Sequence, residues 1–299
     1  MPKVTTTAGD ELFYRDDTFT PPWEEPATTL LLHAEAETSL AWYGWVPRLA
    51  ARGRVVRPDM RGAGRSAAMR PGQAWSLDRL ASDVVALVDG LGVASVHLVA
   101  ARLAGPVALR VAAAHPDLVE TLVLCSAVAD PAAAYGVRAA RWVEQIERSG
   151  LDAWAVSAAA ERLGAAAAQE DLEGWAGILA GADRDALLGL LRNLPALDAT
   201  ADLARVGCPT LVVATDGSAA QPLEETTGWQ RTIEQSELLV LTGTGDHVAA
   251  SHARDVAGSV LDLQKRSAKR DRAQKRGEGS GKRDRERRRE VRQKERARG

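Results

Sequence analysis

Residues 76–105 read SLDRLASDVVALVDGLGVASVHLVAARLAG. The stretch opens on Ser76, with Asp78 and Arg79 in the first turn, and spaces Leu80, Val84, Leu87, Val88 and Leu91 three or four apart. That pattern predicts an amphipathic helix over 76–91, capped at its start by a serine hydroxyl. The next apolar run, Ser95–Val99, is too short for a helix and predicts a strand buried on both faces. A small-residue turn follows, Ala100-Ala101-Arg102-Leu103-Ala104-Gly105, and a helical pattern over 104–115. Helix, buried strand, tight turn and helix in that order predict a parallel sheet with crossover helices.

The same pattern recurs on either side. Thr28–His33 (TTLLLH), Arg54–Arg57 (RVVR), Thr121–Cys125 (TLVLC) and Thr210–Ala214 (TLVVA) read as further buried strands. Residues 252–263 read as a final helix. The alternation predicts one α/β domain over 1–263. Residues 131–203 interrupt it: they are Ala-rich and helical in pattern, with Trp142, Trp154 and Trp175 spread through them. They read as a helical lid, inserted between strands over the carboxyl edge of the sheet. No internal repeat is visible.

Composition narrows the function classes. The chain has 299 residues, 45% hydrophobic and 26% charged, which is ordinary for a globular domain. Its two cysteines, Cys125 and Cys208, lie in apolar runs and read as buried core residues, too few for a disulfide framework. The polar N-terminus has no apolar core of a signal peptide, and no run of about twenty apolar residues occurs. A cytoplasmic protein is expected. The five histidines show no metal-ligand spacing, so no metal or other cofactor is expected.

The formal charge of −2 conceals a split. Residues 264–299 hold 17 Lys+Arg against 6 Asp+Glu, whereas the rest of the chain holds 21 against 34. Residues 264–299 are expected to be a disordered basic tail on an acidic globule, because they offer little apolar surface to bury. Weak contact with a polyanion, driven by counterion release, is the partner chemistry such a tail supplies.

Several segments together carry a family likeness. PDMRGAGRS at 58–66, the helix and strand of 76–99, HPDLVETLVLCSA at 115–127 and GTGDHVAASHARDVAGSVLDL at 243–263 resemble the α/β-hydrolase superfamily. The resemblance is to its lidded branch of enol-lactonases, C–C bond hydrolases and esterases, and covers roughly residues 3–263. It implies the α/β-hydrolase fold, a mostly parallel central sheet flanked by helices. It also implies a nucleophile on the turn at 100–104, an acid near 216–218, a histidine at 247, and an oxyanion hole after the strand that ends near His33.

Only His247 matches that pattern outright. Arg102 stands at the nucleophile position, and a guanidinium has no lone pair with which to attack a carbonyl. Ser218 stands at the acid position when the segment is aligned on Pro222; Asp216, two residues earlier, is the alternative acid. The oxyanion segment reads His33-Ala34-Glu35, which brings a carboxylate to where negative charge would develop. Arg102 and Glu35 read as a coupled replacement, facing each other across one cleft. With the neighbouring Leu103 they form the expected substrate-binding set.

Two functions of different class follow. The first is an enzyme acting on a small organic acid, lactone or ester without a serine nucleophile, with His247 as acid–base and Arg102 holding an anionic group. The second is a hydrolase-like shell that binds a small molecule or partner without turnover. An unsequestered Arg102 sharing an open cavity with His247 would favour the first; a closed, ion-paired Arg102 would favour the second.

Overall fold

The computed structural model describes residues 2–70, 72–164, 166–218, 221–243, 245–270 and 272–273. Eight strands form one sheet: β1 (Lys3–Thr5), β2 (Glu11–Asp17), β3 (Thr28–Leu32), β4 (Arg54–Pro58), β5 (Val96–Ala101), β6 (Val119–Cys125), β7 (Thr210–Thr215) and β8 (Ser236–Leu241). Their spatial order is β1-β2-β4-β3-β5-β6-β7-β8. The β1–β2 and β2–β4 pairs are antiparallel and every other pair is parallel. This is the α/β-hydrolase fold that the sequence predicts.

The period of two along each buried strand divides the interior into two layers. Leu30, Leu32, Leu98, Ala100, Leu122 and Leu124 point to one core. Leu31, Val99, Ala101, Val123 and Cys125 point to the other, with Trp42, Trp45 and Val256. Both faces of the central strands are therefore covered, which explains their continuous apolar runs. Cys125 is buried there, as expected, and burial pushes its thiol pKa up; Cys208 is only half-buried. The strands that sequence reading missed lie at the edges. β8 mixes half-buried and exposed positions, and β2 ends in the charged Arg15, Asp16 and Asp17, which are half-buried or exposed.

The first two helices are the short α1 (Val46–Leu49) and α2 (Leu77–Leu91). α2 begins where Ser76 accepts a hydrogen bond from Arg79 N–H and ends at the left-handed Gly92. α3 (Gly105–Ala114) follows β5. The insertion between β6 and β7 contains α4 (Pro131–Leu163, broken at Gly150), α5 (Gln169–Ala180) and α6 (Arg184–Arg192). α7 (Leu223–Gln230) and α8 (Val248–Ser251) precede a final helix over 253–270.

That final helix corrects the expected boundary of the tail. It continues past residue 263 because its next turns find partners: Gln264 bonds Thr29 Oγ1 at 3.0 Å, Arg266 pairs with Glu237 at 2.9 Å, and Ser267 is buried. Residues 274–299, the remainder of the predicted disordered tail, lie outside the described residues. Among the described residues no helix is long and apolar enough to cross a membrane.

Candidate functional site

At the carboxyl end of β5 the chain turns sharply into α3. Arg102 occupies that turn with φ +50°, a left-handed conformation that non-glycine residues adopt only under constraint. Packing supplies the constraint. A Cβ added at Gly105 would lie 2.5 Å from Ala127 Cβ, so α3 starts hard against the segment after β6. The strained strand-to-helix elbow is therefore present, although its residue is an arginine.

The Arg102 side chain is closed off from solvent. It is 1% exposed. Its Nε and Nη2 each lie 2.9 Å from Glu35 Oε1, and Nη1 donates to the Asp246 carbonyl at 2.8 Å. The guanidinium also sits 5.2 Å from the centre of the Tyr135 ring, over its face. Burial alone would lower the arginine pKa, but Glu35 outweighs it and the pKa is raised. Arg102 is a fixed, paired cation.

Glu35 and Glu37 come from the loop after β3, where Ala36 also takes a left-handed φ of +60°. His33 secures that loop. Its Nε2 accepts from Met60 N–H at 2.8 Å, so the ring proton lies on Nδ1, 2.8 Å from the Ala34 carbonyl. Burial depresses the His33 pKa and keeps the ring neutral.

Across from this loop, the last turn of α4 brings in Arg162. Its Nη2 reaches Glu35 Oε1 at 2.9 Å and its Nη1 reaches Glu37 Oε1 at 3.0 Å. Burial raises the carboxyl pKa of both acids, yet the neighbouring cations prevail. Arg102 and Arg162 hold Glu35 below the usual carboxylate range, and His247 and Arg162 bring Glu37 down to about 2. Two guanidinium groups thus face two carboxylates in a buried array, with the His247 ring beside Glu37.

His247 joins the array from the loop before α8. Its Nε2 lies 3.0 Å from Glu37 Oε1, a close charge contact off the direction of the ring N–H. Its ring packs edge-on against Trp175 of α5 with centroids 5.6 Å apart, and Nδ1 has no hydrogen-bond partner among the described residues. Ser126 helps to hold this loop, accepting from Val248 N–H at 3.0 Å.

The two positions considered for the acid do other work. Ser218 donates to Asp246 Oδ1 at 2.8 Å. Asp216 is exposed and accepts from Gly243 N–H at 3.0 Å. Glu37, and not Asp216, is the carboxylate that meets His247. Sequence reading missed Glu37, Arg162 and Trp175. Glu37 had a signal, since a second acid two residues after Glu35 in HAEAET falls in the same tight loop. Arg162 had none, because its partners are more than 120 residues away in sequence.

Beside the array lies a cavity of about 60 Å³, partly open to solvent. It runs between the loop after β3, the loop after β4, the start of α3, and α6. Glu35, Trp75, Leu103, Val107, Leu187 and Leu190 are among its walls; Arg102 and His247 are not. The structure thus brings Glu35, Arg102 and His247 into one network and places Glu35 and Leu103 on the cavity.

Known proteins share both sequence and fold with this chain. A family described as alpha/beta hydrolase fold matches residues 29–150. A putative carbamate hydrolase, RutD, from Agrobacterium fabrum is 30% identical over 233 residues, which is 73% of this chain and 85% of that protein. Epoxide hydrolase B from Mycobacterium tuberculosis is 37% identical over 98 residues, 32% of this chain and 28% of that one. Among solved structures, an enol-lactonase from Burkholderia xenovorans superposes with TM-score 0.79 at 20% identity, covering 88% of this chain and all (100%) of that one. A thermophilic esterase from Thermogutta terrifontis superposes with TM-score 0.76 at 26% identity, covering 89% and 98%.

Proposed function

Because this chain belongs to the α/β-hydrolase superfamily while its elbow carries Arg102, we propose that it is a hydrolase-like shell binding a small molecule without turnover. One observation carries this reading. The group at the nucleophile position is a cation that is 1% exposed and paired with Glu35. Acyl transfer on this scaffold needs an exposed nucleophile beside an oriented base and donors for the developing oxyanion. Here the elbow has no nucleophile, and the oxyanion loop supplies a carboxylate.

The acid–base alternative asks His247 to act on a ligand that Arg102 holds. Both side chains lie behind the cavity wall, and the ring of His247 is 2% exposed. That reading requires α4 and α5 to lift away, which would strip Arg162 from two carboxylates. The related proteins suggest the scale of the ligand: the carbamate hydrolase, the lactonase and the esterase are all named for small acyl compounds.

The test is a panel of nitrophenyl esters, aryl carbamates and lactones, together with a fluorophosphonate label. No turnover and no labelling are expected, and members that fit the cavity should raise the melting temperature. Turnover that disappears in His247→Ala would establish the acid–base reading instead.

A further inference from the structure

We infer that a second cleft, at the root of the helical insertion, binds an aliphatic amine in its ammonium form. The cleft has a volume of about 250 Å³ and shares no lining residue with the cavity beside the array. Asp130 and Ala133 wall it where the chain enters α4, and Thr200 where the chain leaves the insertion. Gln221, Glu225 and Trp229 close it from α7 and the residues just before that helix.

The wall carries two carboxylates and no arginine, lysine or histidine. Asp130 caps α4 through Oδ1 alone, which accepts from Ala132 N–H at 2.9 Å and Ala133 N–H at 3.1 Å. Its Oδ2 and the exposed carboxylate of Glu225, in the first turn of α7, meet no hydrogen-bond donor or cation among the described residues.

Two nearly buried side chains of the same wall have acceptors to spare. Gln221 is 5% exposed, and its Nε2 donates to the Ser126 carbonyl and the Tyr135 hydroxyl. A carbonyl only accepts, so the orientation of the amide is fixed and Oε1 is the atom left without a partner. Thr226 is 2% exposed, and its hydroxyl bonds no described residue. Neither oxygen is sealed from solvent, as Glu35 Oε2 is, and the little surface these two residues keep lies on the cleft.

These groups select the ligand. An ammonium brings three N–H donors and the charge that two unpaired carboxylates attract, whereas a hydroxyl brings one donor and a carboxylate is repelled. The half-buried Trp229 adds an aromatic ring to the wall, a favourable neighbour for a cation. Val128, Ala133 and Ala134 supply apolar surface for a short alkyl chain. The volume is far larger than a metal ion needs, and no metal-binding group of acidic, histidine or cysteine side chains occurs among the described residues.

Ligand-observed NMR titration of the full chain at pH 7 and physiological salt tests this with three probes that share one pentyl chain. They are pentylammonium, pentan-1-ol and hexanoate. The ammonium is expected to bind, and the other two at least tenfold more weakly. Asp130→Asn, which keeps a capping side chain, combined with Glu225→Gln should weaken the ammonium at least tenfold. Glu224→Gln removes the same charge from a neighbour that does not line the cleft, and should leave the affinity unchanged. Should Asp130→Asn unfold the chain, Glu225→Gln carries the test alone, since its exposed side chain has no partner to lose. The inference is overturned if no probe binds, if the alcohol or hexanoate matches the ammonium, or if the variants at 130 and 225 bind as before. It is equally overturned if Glu224→Gln weakens binding as much as Glu225→Gln, because the attraction would then belong to the acidic surface at large.

Discussion

Arg102 can be tested by deleting its charge and by restoring the family's residue. Arg102→Met leaves Glu35 with Arg162 as its only cation and removes a donor from the Asp246 carbonyl. Breaking a buried pair from one side costs roughly 3–5 kcal/mol, with the lower end expected because Arg162 remains. Urea unfolding should show this loss, and adding Glu35→Gln in the same chain should recover at least half of it. Arg102→Ser should give no esterase activity in a nitrophenyl-ester assay. The histidine would still direct Nε2 toward Glu37, and Glu35 would still oppose an oxyanion. Arg102 and Glu35 were legible as a pair because each breaks a short local pattern. Glu37 and Arg162 break none, and only the folded chain connects them. The array also sets the response to acid. His33 has a pKa depressed below 6.5, so the unfolded chain takes up a proton that the folded chain excludes, and stability falls as pH drops below 6.5. Below 4.5 the unfolded counterparts of Glu35 and Glu37 also protonate; the loss steepens, and the part due to Glu37 is complete near pH 2. Each group contributes at most about 1.4 kcal/mol per pH unit. His33→Gln should flatten urea midpoints between pH 6.5 and 4.5 and leave the steeper acid limb in place.

Elements pack against the site through close approaches that leave no room for a methyl group. Trp75 fits between Gly62 on the loop after β4 and Gly189 on α6. A Cβ at Gly189 would lie 2.6 Å from Trp75 Nε1, so Gly189→Ala must displace either the indole or the helix. The expected cost is about 1–3 kcal/mol by urea unfolding, together with altered ligand affinity, because both elements line the cavity. Gly174→Ala in α5 is the control: a Cβ there would meet nothing within 4 Å, so the change should be neutral or gain up to about 1 kcal/mol. At this scale the sequence was informative wherever burial was two-sided. β3, β5, β6 and β7 are continuous apolar runs because both faces meet core. β1, β2 and β8 sit toward the edges, where half of each strand faces water and the pattern dissolves into polar residues. The insertion was recognisable as helical from its alanines, but the break at Gly150 and the docking of α6 depend on tertiary fit.

The whole molecule combines a negatively charged body with a concentration of cations near its C-terminus. Residues 274–299 hold 12 Lys+Arg against 5 Asp+Glu. Because the final helix docks through residue 270, the two truncations should differ. Removing 274–299 should leave the urea midpoint unchanged, whereas removing 264–299 should lower it by severing the contacts of Gln264 and Arg266. Any RNA affinity should disappear with 274–299 and fall steeply with added salt, because phosphate contacts would carry it. RNA binding retained after that truncation would place the polyanion site on the body. The ionic array has a consequence of another kind, for descent. Its members come from a loop, an elbow, an inserted helix and a distant turn, and each is tolerable only while the others persist. Replacing Arg102 by a serine removes one of the two cations of Glu35 while the rest of the array stays as it is. On the proposed reading, a return to hydrolysis would therefore need several of these replacements together, because each single one costs stability first.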